Sequence, residues 1–120
     1  MKILIIDDEQ PILKMYADYF TSQGIEALTA EDGDKGLDLA RTNQPNIILL
    51  DIIMPKLNGL DVLAKIKTDS DLQKIPVILL TNLAEECSGQ KAKESGAACY
   101  LVKAQTEPKT VLEKIKEILG

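Results

Sequence analysis

Short apolar runs alternate with helix-like segments along the chain. Five runs rich in aliphatic and β-branched residues predict strands, over residues 2–6, 25–30, 47–50, 77–80 and 98–102. Apolar residues at helical spacing, with Pro and Gly at the boundaries, predict a helix after each strand. Five strand–helix units in succession favour an α/β fold in which a parallel sheet carries helices on both faces.

The predicted helices differ in how completely one face is apolar. Pro11 suits the first turn of the first helix and Gly24 its end, and the apolar face between them is Ile12, Met15, Tyr16, Tyr19 and Phe20. The second helix (34–42) would bury Leu37 and Ala40, and the third (57–68) Leu60, Leu63 and Ile66. The C-terminal helix, with Thr106 as its predicted cap, would use Val111, Leu112, Ile115, Ile118 and Leu119. The segment 84–95 is polar and contains Gly89, so we expect it to be the least stable helix.

Composition indicates one globular domain over residues 1–120, since 45% of the chain is hydrophobic and 28% charged. Acidic residues outnumber basic ones, 19 to 14, which argues against direct nucleic-acid binding. No apolar run suits a membrane span or signal peptide, so we expect no membrane association and a cytoplasmic location. Cys87 and Cys99 lack a metal or redox spacing and are expected to be reduced thiols. There is no histidine, the usual acid–base catalyst, and no nucleotide-binding glycine motif.

Polar residues collect where the predicted strands end. They are Asp7, Asp8, Asp51, Thr81 and Lys103. Asp7, Asp8 and Thr81 also suit helix caps. Taken by itself, Lys103 suits a solvated surface position. Because open α/β sheets bind ligands at the carboxyl ends of their strands, the shared location favours a functional site.

The residue types at this edge suit phosphoryl chemistry. Mg²⁺ prefers hard oxygen ligands and usually takes one or two carboxylates with waters and phosphate. A further carboxylate can attack phosphorus to give an acyl phosphate. A lysine and a hydroxyl can hold the phosphoryl oxygens that a metal leaves uncovered.

These residues resemble the receiver domain of two-component response regulators over essentially the whole chain. The matching motifs are Asp7-Asp8, Asp51, Met54-Pro55-x-x-x-Gly59, Thr81 and Tyr100-x-x-Lys103. The resemblance implies a flavodoxin-like doubly wound fold, a five-stranded parallel sheet of order 2-1-3-4-5 with five helices.

The resemblance also implies a role for each site residue. Asp51 would accept a phosphoryl group from a histidine kinase, a histidine phosphotransfer protein or a small phosphodonor. Mg²⁺ would be held by Asp8, Asp51 and the carbonyl of Ile53, with Asp7 helping through a water, and Lys103 would contact the phosphoryl oxygens.

The implied output is a conformational switch. Thr81 would move toward the phosphoryl group and Tyr100 would turn inward behind it. This change would remodel the face formed by segment 84–95, the fifth strand and the C-terminal helix, where a downstream protein target would bind.

Two positions depart from the usual receiver pattern. Ala104 follows Lys103 where receivers usually have proline, which leaves the geometry of that peptide bond open. Asn82 follows Thr81 where receivers usually have a small residue. We hypothesise that Ile53, Asn82 and Leu83 impede an attacking water and make the phosphoaspartate slow to hydrolyse.

The predicted function is therefore a stand-alone signalling switch that catalyses only its own phosphorylation and dephosphorylation. One alternative is a degenerate receiver that acts as a phosphorylation-independent binding module. A Mg²⁺-dependent aspartyl-phosphate phosphohydrolase is less favoured, because no second acid stands two residues after Asp51. An FMN carrier is disfavoured by the scarcity of aromatic residues.

Overall fold

The sheet contains five parallel strands in the order β2-β1-β3-β4-β5. The computed structural model describes residues 1–52, 54, 58–81, 96–103 and 106–120. The strands are β1 (Lys2–Ile6), β2 (Glu26–Ala30), β3 (Ile47–Asp51), β4 (Val77–Thr81) and β5 (Cys99–Val102). The predicted strand order is confirmed, and all five predicted strands are present with ends shifted by at most one residue.

Four helices lie within the described part of the chain. They are α1 (Gln10–Ser22), α2 (Gly33–Asn43), α3 (Gly59–Thr68) and α4 (Pro108–Leu119). The predicted helix over 84–95 falls outside the described residues. No helix among those described is long and apolar enough to cross a bilayer.

The sheet separates two apolar clusters. Helices α2 and α3 cover one face, where they pack on alternate strand residues such as Leu4, Ile48 and Leu79. Helices α1 and α4 cover the other face, where they meet the intervening residues, such as Ile5 and Leu49. Strands buried on both faces explain the continuous apolar runs of β1, β3 and β4. Strand β2 lies at an edge, which agrees with its more polar sequence.

Most predicted inward positions are buried or half-buried, but three are exposed. Met15 (41% exposed), Leu60 (40%) and Leu119 (38%) are largely exposed. Each lies at the border of an apolar stripe, where a helical position faces partly outward. In α3 the neighbouring Val62 is fully buried instead.

The predicted helix starts also need correction. Helix α3 begins at Gly59, two residues later than predicted, because Asn58 is its N-cap and accepts a hydrogen bond from the Asp61 amide at 3.0 Å. Thr106 does not cap the C-terminal helix. Its hydroxyl donates to the Val102 carbonyl oxygen at 2.8 Å, and Glu107 occupies the N-cap position.

Candidate functional site

The carboxyl ends of β1 and β3 bring three aspartates together. One carboxylate oxygen from each of Asp7, Asp8 and Asp51 lies within 4.8 Å of the others. Asp7 and Asp51 are only 1% and 5% exposed, whereas Asp8 faces solvent. These side chains converge because β1 and β3 are adjacent parallel strands that end at the same edge of the sheet.

Backbone contacts fix the two buried aspartates. The Asp7 amide donates to the Ala30 carbonyl of β2 at 3.1 Å, so the chain stays on the sheet just beyond β1. Asp51 is the last residue of β3, opposite Leu80 of β4. The next residue, Ile52, accepts a hydrogen bond from the Gly59 amide at 2.7 Å, which ties the start of α3 to the end of β3.

Gly59 permits this close approach because it has no side chain. A Cβ at this position would lie 2.7 Å from the Ile52 Cα and would collide with the Asp51 carbonyl oxygen. Both neighbours are backbone atoms and cannot rotate away. The glycine of the sequence motif is therefore a packing requirement of the loop that follows Asp51.

Lys103 places its ammonium among the carboxylates. It follows β5, and its Nζ lies 2.5 Å from Asp7 Oδ2 and 3.3 Å from Asp51 Oδ2. A third carboxylate oxygen, Oε1 of Glu9, lies 3.4 Å from the same nitrogen. The Lys103 side chain is only 5% exposed, so its charge is neutralised by these acids more than by water.

Burial and pairing shift the pKa values of this cluster. Burial raises the pKa of Asp7, and this effect outweighs the hydrogen bonds from Lys103 and the Glu9 amide, which lower it. For Lys103, burial lowers the pKa, but the hydrogen bond to Asp7 and the charges of Asp51, Asp7 and Glu9 together raise it. The ammonium therefore stays charged within a group of acids that outnumber it.

The donor set fits a hard divalent cation. In an octahedron with metal–oxygen distances of about 2.1 Å, neighbouring ligand oxygens are about 3 Å apart and opposite ones about 4.2 Å. The three aspartate oxygens lie within 4.8 Å of one another, so small side-chain adjustments bring them into that range. The acidic cluster could therefore hold a metal ion, with Asp8 on the solvent side, where waters complete the coordination.

The remaining predicted site residues are only partly described. Tyr100 lies in β5, is half-buried and packs against the cluster formed with α2 and α3. Thr81 ends β4 opposite Val102, but its side chain is outside what the structure describes. Ile53, Asn82, Leu83 and the Lys103–Ala104 peptide bond also lie outside the described residues.

Sequence reasoning gave no role to Glu9, although it stands next in the acidic run Asp7-Asp8-Glu9. Its contact with Lys103 joins residues 94 positions apart. The acidic run was the available signal in the sequence, but the direction of the Glu9 side chain depends on the orientation of α1 relative to the sheet.

The family model for the response regulator receiver domain matches residues 3–116. The chain belongs to the response regulator receiver domain family. It is 33% identical to the polar-differentiation response regulator DivK of Brucella anthropi over 118 residues, which are 98% of this chain and 95% of that protein.

Solved receiver structures have the same architecture. The Vibrio cholerae chemotaxis protein CheY4 superposes with a TM-score of 0.89 at 28% identity, over 98% of this chain and 97% of that one. The N-terminal domain of a response regulator receiver protein from Methanoculleus marisnigri gives a TM-score of 0.78 at 30% identity, over 99% and 96%. This chain is therefore a two-component receiver with a flavodoxin-like fold, from a family whose members signal between histidine kinases and downstream targets.

Proposed function

We propose that this receiver domain, spanning residues 1–120, is a phosphorylation-activated switch in which Asp51 is the phosphoryl acceptor. The observation that carries the proposal is the ammonium of Lys103, buried between Asp7 and Asp51 at one edge of the sheet. Burying acids that outnumber their one lysine is costly unless a cation or a chemical task keeps them together. A divalent cation would offset the excess negative charge, and the buried ammonium could hold an oxygen of a phosphoryl group on Asp51.

In the proposed reaction an Asp51 carboxylate oxygen attacks phosphorus. The new bond is P–O, and the bond that breaks joins phosphorus to a histidine nitrogen of the kinase or phosphotransfer protein, or to the leaving oxygen of a small phosphodonor. A carboxylate has no proton to lose before it attacks, so this step needs no general base. Lys103 then neutralises part of the charge on the phosphoryl oxygens.

Asp7, Asp8 and Asp51, with the Ile53 carbonyl, would hold Mg²⁺ at this site. When bound, the ion supplies positive charge to the phosphoryl oxygens that Lys103 does not reach. Asp7 is already paired with Lys103 at 2.5 Å, which suits a role through a bound water better than direct ligation.

The output would follow from Thr81 and Tyr100. The Thr81 hydroxyl would move toward the phosphoryl group, and the half-buried Tyr100 ring would turn inward behind it. A downstream protein target would then bind the face formed by segment 84–95, β5 and the C-terminal helix α4. Catalysis in this proposal is limited to the domain's own phosphorylation and dephosphorylation.

The test is intact mass after incubation with acetyl phosphate and Mg²⁺. We expect wild-type protein to gain one phosphoryl group, Asp51→Asn to gain none, and the exposed control Asp71→Asn to behave as wild type. Chelation of Mg²⁺ should abolish the gain. No modification of Asp51 would contradict the proposal and favour a binding module, and steady turnover of a generic phosphate ester would favour a phosphohydrolase.

We also propose that Ile53, Asn82 and Leu83 slow the hydrolysis of the phosphoaspartate. Support comes from the sequence, since apolar side chains beside the acyl phosphate would exclude an attacking water. The measurement is the rate of phosphate loss from Asp51 in wild type and in an Asn82→Ala, Leu83→Glu double variant. A wild-type lifetime no longer than that of the variant would remove this part of the proposal.

A further inference from the structure

Glu9 occupies the N-cap position of α1 without using its side chain as a cap. Its carbonyl accepts hydrogen bonds from the amides of Ile12 and Leu13 at 3.0 and 3.1 Å, and its own amide donates to Asp7 Oδ1 at 2.9 Å. The side chain makes no capping hydrogen bond. Glutamate is not a favoured N-cap residue, unlike aspartate, asparagine and serine. The backbone of Glu9 is thus fixed while its carboxylate is available for another contact.

That contact is with Lys103. Oε1 of Glu9 lies 3.4 Å from Nζ, on an ammonium that also contacts Asp7 and Asp51. The Glu9 side chain is 54% exposed, against 1% for Asp7 and 7% for Asp51. Among the described residues that pair with Lys103, Glu9 is therefore the one on the solvent side, from which a phosphodonor must approach.

An ammonium has three N–H donors, and here three carboxylates surround it. A phosphoryl group on Asp51 would bring further anionic oxygens to Lys103, so one of the present partners has to give way. Asp7 is closest and buried, and Asp51 is the residue being modified. Glu9 has the longest contact with Lys103. Because its side chain is already partly exposed, replacing that contact by water costs the least free energy.

We infer that Glu9 is a positioning residue that holds the Lys103 ammonium in the unphosphorylated protein and releases it when a phosphoryl group arrives. The inference rests on the proposed function of Asp51. In this role Glu9 opposes phosphorylation, because its contact with Lys103 must be broken before the ammonium can engage the phosphoryl oxygens.

Two substitutions distinguish the effect of the Glu9–Lys103 contact from the effect of the negative charge of Glu9. Glu9→Gln removes the negative charge. Glu9→Asp keeps the charge but shortens the side chain by one methylene group, which draws the carboxylate back from the Lys103 ammonium that Glu9 contacts at 3.4 Å. The matched control is Glu117→Gln, because Glu117 also lies 3.4 Å from a lysine Nζ, that of Lys114, but on an exposed face of α4.

The first measurement is the rate of Asp51 phosphorylation by acetyl phosphate in Mg²⁺. We expect both Glu9 variants to react about two- to fivefold faster than wild type, the range that corresponds to an exposed ion pair, and Glu117→Gln to match wild type. Equal rates for wild type and both Glu9 variants would overturn the inference. A faster Glu9→Gln with an unchanged Glu9→Asp would also overturn it, because charge alone would then explain the effect.

The second measurement does not require phosphorylation. In unphosphorylated protein labelled with ¹⁵N-lysine, the Lys103 ammonium signal, assigned with Lys103→Arg, should move in both Glu9 variants and stay in place in Glu117→Gln. An unmoved signal overturns the inference whatever the phosphorylation result. If wild-type Asp51 accepts no phosphoryl group but the signal moves, the proposed function fails while the Glu9–Lys103 contact stands.

Discussion

Lys103 and Lys2 lie at opposite ends of the same sheet and are held in different ways. Lys2 begins β1, its side chain is 35% exposed, and its Nζ donates to the neutral Asn43 carbonyl at 3.0 Å, with Glu26 Oε2 at 4.0 Å. Lys103 follows β5, is nearly inaccessible, and meets three carboxylates within 3.4 Å. At the amino end of the sheet, Lys2 finds its partners close to water. At the carboxyl end, buried carboxylates outnumber the lysine that pairs with them, and the fold itself does not require that arrangement.

The largest expected effect comes from removing each lysine. Lys103→Met leaves Asp7 and Asp51 buried without their shared cation, so the free energy of unfolding should fall by about 3 kcal/mol at neutral pH. The loss should shrink in acid, as the carboxylates take up protons. Lys2→Met should cost about 1 kcal/mol or less.

Urea denaturation of both lysine variants, with Mg²⁺ chelated, measures these losses. Similar losses for the two lysines would show that the two ends of the sheet do not hold their lysines in different ways. Added Mg²⁺ should restore part of the stability of Lys103→Met and none of that of Lys2→Met.

A smaller effect, opposite in sign at the two ends, is expected from two aspartates. Burial raises the pKa of Asp7 in the folded protein above its ordinary value of 3.8. At the other end, hydrogen bonds from the Asp71 amide and from Arg41 lower the pKa of Asp69. The folded protein therefore binds the Asp7 proton more tightly than the unfolded chain does, and the Asp69 proton less tightly.

The sign for stability follows from proton linkage. Ionisation of Asp7 destabilises the fold, progressively, as pH rises through and above its ordinary pKa, so Asp7→Asn should be stabilising at neutral pH and show no gain at about pH 3. The contribution of Asp69 is present above its ordinary pKa and is lost as pH falls through the lowered folded value. Asp69→Asn should therefore be destabilising at neutral pH.

Denaturation of the two aspartate variants at neutral pH and at about pH 3, without Mg²⁺, provides the measurement. If Asp7→Asn and Asp69→Asn change stability with the same sign at neutral pH, the contrast between the two ends is wrong.

The smallest effects are expected from two asparagines. Asn46, at the amino end, accepts a hydrogen bond from the Lys2 amide at 2.8 Å, and its exposure lets water replace that bond. Asn46→Ala should cost about 0.5 kcal/mol. Asn58→Ala removes the cap of α3 and should cost about 1 kcal/mol.

The two asparagine variants should also differ in phosphorylation rate. Asn58 precedes Gly59, whose amide bonds to Ile52 beside Asp51, so losing the cap should slow modification of Asp51. Asn46→Ala should react at the wild-type rate. Equal rates for the two variants would show that the start of α3 does not position the acceptor.

Much of the fold was predictable because burial on both faces leaves a continuous apolar run. In β3 every residue from Ile47 to Leu50 is aliphatic, and so short a run beginning two residues after Pro45 favours a strand over a helix. The site edge was predictable for a related reason, since parallel strands place their carboxyl ends together. Asp7, Asp8 and Asp51 meet as that rule requires. Their chemical roles stay predictions.

What sequence reasoning missed depends on side-chain direction. Periodicity placed Met15 on the apolar face of α1, but a helix buries only the centre of its stripe. Thr106 suits a cap by residue type, yet its hydroxyl bonds back to Val102. Glu9 turns to Lys103 because the helix start beside it is already satisfied by backbone groups. None of these outcomes follows from residue type alone.

Successive residues of β3 face the two apolar clusters alternately, so the length of this strand is constrained more strongly than its composition. Ile47 and Leu49 face one cluster, and Ile48 and Leu50 the other. One aliphatic residue can replace another there at modest cost. Deleting a single residue would instead send every side chain on one flank of the deletion to the wrong face and draw Asp51 back by about 3.3 Å. Evolution of this segment should therefore proceed by substitution of one aliphatic residue for another, without insertions or deletions.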